Sequence, residues 1–295
     1  MKKILLIGGT GQLGGAIIKD AKDFDFEIIS FEKSELDITN ELQVEEKIER
    51  AKPDILINTA AYNAVSDCDS SPLEAIKVNF VAVYNLAKLC RRYRIRFITY
   101  STDYVFDGEK GAPYKENDKP NPLQVYGISK LSGEYTALNY YPEKTFVIRT
   151  SGLYGGKFGS PVKGNFVLNI IKEAQNKEVI EVSSEQIVSP TYARDLSQAT
   201  LKLLEVEANC GIFHLVNEGY CSWYEFTKEI FKLMKIDKDL KPVDRKGFSG
   251  GVKRPKFSAL ENTKAKEMGI ELPSWQEGLK SYFNFLGQLN KSKNY

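Results

Sequence analysis

The segment that most limits how this chain can fold is its amino-terminal stretch. Residues 3–7 carry a short apolar run, Ile4-Leu5-Leu6-Ile7, and Gly8-Gly9-Thr10-Gly11-Gln12-Leu13-Gly14 follows at once. Such a run ahead of a glycine-rich turn reads as a buried parallel strand, and residues 13–22 behind it read as a helix. In a strand–turn–helix unit Gly8 permits the tight turn, Gly11 lets the backbone approach a pyrophosphate, and Gly14 lets helix and strand pack closely. The motif sits at the first strand of an alternating pattern, the context it requires, and it predicts dinucleotide binding.

The alternation continues. Short apolar runs at 27–31, 55–58, 96–100 and 145–149 are separated by helix-like stretches at 41–51, 72–93 and 126–139. That rhythm predicts an α/β fold, a Rossmann-type doubly wound parallel sheet. After Arg149 the rhythm changes. A Gly/Ser-rich segment over 151–164 precedes a helix near 165–176, and strands are expected at 179–182 and 212–216. Residues 222–235 read as a helix with Ser222 as N-cap and Glu225 in capping-box position. Residues 248–256 read as a loop. The expected division is an NAD(P)-binding domain over 1–151, with part of 186–216 returning to it, and a smaller substrate-binding domain over most of 152–295.

The 295 residues carry a net charge of only +2, so no gross field favours nucleic acid or an anionic membrane. No apolar run approaches the length of a membrane span. Gly8 interrupts the first apolar run too early for a signal peptide. Cys68, Cys90, Cys210 and Cys221 lack metal-ligand spacing, so no metal site is expected and a reduced, cytoplasmic protein is the simplest reading.

Two separated motifs carry the chemistry: Ser101-Thr102-Asp103-Tyr104 and Tyr126-Gly127-Ile128-Ser129-Lys130. A Tyr and a Lys four apart share one helix face. The ammonium is expected to lower the tyrosine pKa from about 10 and make Tyr126 a proton donor or acceptor near neutral pH. Lys130 can also bond a nicotinamide ribose, and Thr102, at a strand's carboxyl end, can hold a carbonyl oxygen. These groups point to a nicotinamide-dependent oxidoreductase acting on a carbonyl or alcohol. Glu32, about 20 residues past the turn, suits a ribose hydroxyl and hence NADH. Lys33 suits a 2′-phosphate and hence NADPH, so both cofactors stay open. Asn58 and Asn79 divide evenly between capping and cofactor or water contacts. His214, the only histidine, reads as a core residue.

At these residues the chain resembles the extended short-chain dehydrogenase/reductase family, and within it the reductases of nucleotide-linked 4-keto-6-deoxysugars. Further carriers are Leu36-Asp37-Ile38, Asn58-Thr59-Ala60-Ala61-Tyr62, Val105-Phe106, Arg149-Thr150-Ser151, Ser189–Leu196 and Arg254–Leu260. The resemblance implies catalytic roles for Thr102, Tyr126 and Lys130. It implies NADPH or NADH contacts for Gly8, Thr10, Gly11, Gln12, Leu13, Gly14, Glu32, Asp37, Ile38, Ala60, Ala61 and Tyr62, together with Tyr126 and Lys130. Thr102, Asp103, Tyr126, Gly152 and Arg254 would meet a nucleotide-sugar substrate, most closely dTDP-4-dehydro-L-rhamnose. A homodimer is usual in the wider superfamily. The chain departs from the pattern where Gly152 replaces a tryptophan that packs on the sugar, where Val188 replaces a glycine, and over Val65–Asp69. Two alternatives remain at this point: another nucleotide-sugar reductase or epimerase, or a non-catalytic dinucleotide-binding subunit like the regulatory beta subunit of methionine adenosyltransferase.

Overall fold

The computed structural model describes residues 1–156, 165–206, 208–244, 248–249 and 251–291. Parts of the expected 151–164 and 248–256 segments lie outside the described residues. The centre is a six-stranded sheet in the order Gly211–His214, Thr145–Thr150, Arg96–Thr102, Ile55–Asn58, Lys2–Ile7, Phe26–Phe31, with every pairing parallel. Lys2–Ile7 is flanked by the next strand in sequence on one side and by Ile55–Asn58 on the other. The chain therefore reverses direction across the sheet at this point, and the carboxyl ends there form the crevice where open α/β sheets bind ligands.

Alternate side chains of each strand feed opposite layers, as a two-residue period requires. Ile4, Leu6, Ile55, Ile57, Ile98 and Ile148 pack with helices Gln12–Asp20 and Ala193–Glu205. Leu5, Ile7, Leu56 and Phe97 pack against Glu41–Ala51 and Ala82–Tyr93 on the other face. Arg194 ties the two helices of the first layer by donating to buried Asp20 at 2.9 Å. Thus residues 193–214 add a helix and an edge strand to the amino-terminal sheet.

A second core is built around Tyr154, Tyr192, Phe226, Trp275 and Tyr282. Helices Phe166–Asn176, Trp223–Met234 and Trp275–Lys291 surround it, with the parallel pair Val179–Ser183 and Asp239–Val243. The expected capping box is present: Glu225 N donates to Ser222 Oγ, and Ser222 N donates to Glu225 Oε2. Among the described residues no helix is long and apolar enough to cross a membrane.

The stretch expected as one helix over 72–93 is three: Pro72–Ile76, a π-type turn Lys77–Val81, and Ala82–Tyr93. Asn79 sits in the π turn and explains it. Its amide accepts from Tyr62 N at 2.9 Å and donates to Tyr62 O at 2.9 Å and Ser129 Oγ at 3.1 Å. The turn aims one buried side chain at two other segments, a common use of π-bulges.

Candidate active site

A cleft of about 640 Å³ opens along the carboxyl ends of the central strands. Its floor at one end is the glycine turn. Helix Gln12–Asp20 starts on Gly11 without a side-chain cap, so its first amides are left for an anion. Gly8 adopts φ +85°, and a Cβ on Gly14 would lie 2.2 Å from Gly8 O. That contact gives Gly14 its reason: only a residue without a side chain lets the helix start this close to the strand.

The strand Arg96–Thr102 runs past its expected end and delivers Thr102 to the cleft, with Asp103 opening the next turn. Helix Val125–Tyr140 presents Tyr126 and Lys130 to the same cleft. Its start is fixed by Gln124, whose side chain accepts from Gly127 N at 3.2 Å, and by the Asn79–Ser129 bond. Of the residues expected at the site, Thr10, Gly11, Gln12, Leu13, Gly14, Ala60, Ala61, Thr102, Asp103, Tyr126, Lys130 and Gly152 line this one cleft.

Six others do not line it. Gly8 shapes the turn from behind. Glu32 is exposed beyond strand Phe26–Phe31, beside exposed Lys33. The Asp37 carboxylate accepts from Thr39 N and Thr39 Oγ1, both at 2.9 Å, and these bonds help hold its pKa below the usual carboxylate range. Ile38 is buried in the sheet's second layer. The Tyr62 backbone is held by Asn79, and Arg254 donates to Tyr104 OH at 3.4 Å.

The electrostatics correct one expectation. Lys130 does not lower the Tyr126 pKa. Its buried ammonium donates instead to Tyr100 O at 2.5 Å. Burial pushes Tyr126 well above the ordinary phenol value, opposed by the Thr102 hydroxyl within hydrogen-bonding reach. Burial also lowers Lys130 to about 8, opposed by the Glu134 charge. Asp103 is raised to about 6 by burial, with hydroxyls of Ser258, Ser151 and Thr102 opposing.

Four buried lining atoms lack a partner among the described residues: Gln12 Oε1, Asn58 Nδ2, Ser101 Oγ and Thr150 Oγ1. Buried polar atoms are normally paired. Orphans spread along a cleft that begins at an uncapped helix fit a long polar ligand such as a nicotinamide dinucleotide. Sequence reasoning gave no role to Asn63, Thr59 or Ser258. Thr59 and Asn63 flank expected contacts and line the cleft. Ser258 reaches Asp103 from a remote segment, and adjacency in sequence does not signal it.

Nearly the whole chain matches known proteins. Residues 1–287 match the family described as RmlD substrate binding domain. A dTDP-4-dehydrorhamnose reductase of Aggregatibacter actinomycetemcomitans is 35% identical over 294 residues, covering 95% of this chain and 98% of that protein. A crystal structure of a dTDP-4-dehydrorhamnose reductase from Clostridium acetobutylicum superposes with a TM-score of 0.90 at 37% identity, covering 97% and 99% of the two chains. The Bacillus anthracis dTDP-4-dehydrorhamnose reductase, crystallised in complex with NADP, gives a TM-score of 0.90 at 34% identity, covering 96% and 98%.

Proposed function

The chain belongs to the RmlD substrate binding domain family, and on that footing we propose that it is an NAD(P)H-dependent reductase of the 4-keto group of a nucleotide-linked 6-deoxysugar. The substrate that fits best is dTDP-4-dehydro-L-rhamnose, giving dTDP-L-rhamnose. One observation carries the reading: Thr102, Tyr126 and Lys130 meet in the cleft that begins at the glycine turn.

When bound, the reduced cofactor supplies the hydride. The first-turn amides of helix Gln12–Asp20 hold its pyrophosphate, and Asn58, Ser101 and Thr150 offer polar atoms along the cleft. Tyr126 gives its proton to the carbonyl oxygen as that oxygen becomes an alkoxide. Burial keeps Tyr126 a neutral phenol at working pH, so the proton is in place and leaves only as the carbonyl oxygen gains negative charge. Lys130 adds positive charge beside the reacting oxygen, where a developing anion is stabilised. Thr102 completes the trio at the strand end. Asp103 and Gly152 lie on the wall where the sugar docks, and Arg254 suits the diphosphate.

Residues 1–151, with 186–216, form the cofactor domain in this reading, and the remainder of 152–295 seats the sugar nucleotide. The cytoplasm suits the protein, since all four cysteines are free thiols and three are buried. A homodimer is supported by exposed apolar side chains, Leu73, Ile76 and Val81 on segments packed against helix Val125–Tyr140 and Ile128 and Tyr135 on that helix, which a second copy would cover.

The test follows nicotinamide absorbance with dTDP-4-dehydro-L-rhamnose generated in situ, using NADPH and NADH in parallel. Turnover by the native protein and its loss in Tyr126→Phe is the expected result. Cofactor binding without turnover on this or related keto sugars would overturn the reading.

A further inference from the structure

Asp103 is 3% exposed, and burial covers its carboxylate. Three hydroxyls converge on it. Thr102 Oγ1 donates to Oδ1 at 3.0 Å, while Ser151 Oγ and Ser258 Oγ donate to Oδ2 at 3.0 and 2.6 Å. The three serine and threonine residues come from different parts of the chain. Thr102 ends a central strand, Ser151 follows the next strand, and Ser258 belongs to the carboxyl-terminal segment.

Ser258 is fully buried and firmly seated. Its amide donates to Ile187 O at 2.9 Å, and Ile187 N donates to Lys256 O at 2.7 Å. Its short bond to Asp103 therefore connects a fixed backbone to the reaction centre. A hydroxyl has one proton to give. The Thr102 proton goes to Asp103, and Thr102 Oγ1 also accepts from Tyr104 N at 3.2 Å. The direction of the Thr102 hydroxyl, which stands within hydrogen-bonding reach of Tyr126, is set by where Asp103 is held.

We propose that Ser258 is a positioning residue for the reduction: by bonding Asp103 it fixes the carboxylate that orients the Thr102 hydroxyl beside Tyr126. The inference rests on the reductase reading above and adds to it a residue 155 positions from Asp103. It also makes the seating of the carboxyl-terminal segment a condition for an ordered reaction centre.

The three hydroxyls stabilise the ionised form of Asp103, so losing one raises its pKa further from about 6. The other titratable or charged groups facing it are Tyr126 from the helix, Tyr104 beside it, and Arg254, which meets the Tyr104 hydroxyl. Both tyrosines are pushed up by burial and stay neutral through this range.

The experiment compares Ser258→Ala and Ser258→Thr with the native enzyme across pH. Ser258→Ala is expected to lose about tenfold in kcat and to move the acid limb of the profile up by about one pH unit, the size of a hydrogen bond to a charged group. Cofactor affinity stays within about twofold, since Ser258 and Asp103 touch no part of the cofactor in this scheme, and the loss falls on kcat more than on KM. Ser258→Thr, which keeps the hydroxyl, restores the limb. Ser151→Ala removes the other bond to Oδ2 and moves the limb the same way, so it decides the matter if Ser258→Ala does not fold. An unmoved limb in the folded variants overturns the proposal. A second readout is independent of turnover: the Asp103 carboxyl carbon, followed by NMR and assigned through Asp103→Asn, titrates higher in Ser258→Ala. If the native protein reduces no keto sugar, the reductase reading fails, while this titration still shows whether Ser258 holds Asp103.

Discussion

The ammonium of Lys130 donates to the carbonyl oxygen of Tyr100, 2.5 Å away, and this bond places a buried cation against the strand end that carries Thr102. Lys130→Met removes that charge from the cleft. Turnover is expected to fall by about a hundredfold or more, as for loss of one group that stabilises developing charge. Its pH behaviour provides a check. Burial lowers Lys130 to about 8, so kcat of the native enzyme is expected to decline above that pH as the ammonium is lost. Stability moves the other way. The folded pKa lies below the ordinary 10.5, so between about 8 and 10.5 the unfolded chain binds the proton that the folded chain has shed. This group's contribution therefore rises with pH in that window and is unfavourable below it. Denaturant melts of native protein and Lys130→Met across pH 7–11 read the difference.

Glu134 lies one further turn along the same helix face and forms a bidentate pair with Arg149, its shortest contact being 2.6 Å from Nη2 to Oε2. Both side chains are 1% exposed. Breaking a pair buried to this degree leaves an uncompensated charge, and Glu134→Gln is expected to cost about 3–5 kcal/mol. The double replacement Glu134→Leu with Arg149→Met is expected to cost less than the sum of the singles, since neither charge is then stranded. Urea unfolding of the native protein, Glu134→Leu, Arg149→Met and the double variant closes the cycle. Additive losses would mean that the two residues act separately.

How far the sequence could be read varies with the distance between partners. The parallel sheet was legible because each strand–helix unit is local, and Thr102 was legible because a Ser-Thr pair ends an apolar run. The π turn was hidden, since Pro72–Ile76 and Ala82–Tyr93 read as one helix until Asn79 is seen to hold Tyr62. The four-residue spacing of Tyr126 and Lys130 set a shared helix face but not the direction of the ammonium. Nζ turns to Tyr100, and burial then raises rather than lowers the phenol. Ser258 was beyond reach because nothing near it in sequence marks its bond to Asp103.

Two exposed neighbours are expected to govern cofactor choice. Glu32 and Lys33 stand just past strand Phe26–Phe31, and a carboxylate there repels a 2′-phosphate while the ammonium attracts it. Glu32→Ser removes the repulsion and keeps the attraction. The expected result is a higher ratio of kcat/KM for NADPH over NADH, by about three- to tenfold, with Lys33→Ser moving the ratio the opposite way. Equal ratios in both variants would remove these two residues from the adenine-ribose end.

Gly152 shows why a tryptophan does not simply fit this wall of the cleft. Its backbone is at φ +53°, the left-handed region, and a Cβ built there lies 3.1 Å from Pro190 Cα and 3.4 Å from both Ser189 O and Trp223 Cη2. An L-residue in that region costs about 1–2 kcal/mol before any contact is considered. Gly152→Ala is therefore expected to lower stability by about 1–2 kcal/mol and to raise KM for the sugar nucleotide more than it lowers kcat, because Gly152 lines the cleft but carries no group that moves a proton. Gly152→Trp must also find room for a ring where Pro190, Ser189 and Trp223 already stand, so it is expected to destabilise more than alanine does. Thermal melts and steady-state kinetics of the two variants test this. A tryptophan variant as stable as the native protein, with an unchanged or lower KM, would show that the wall opens at little cost.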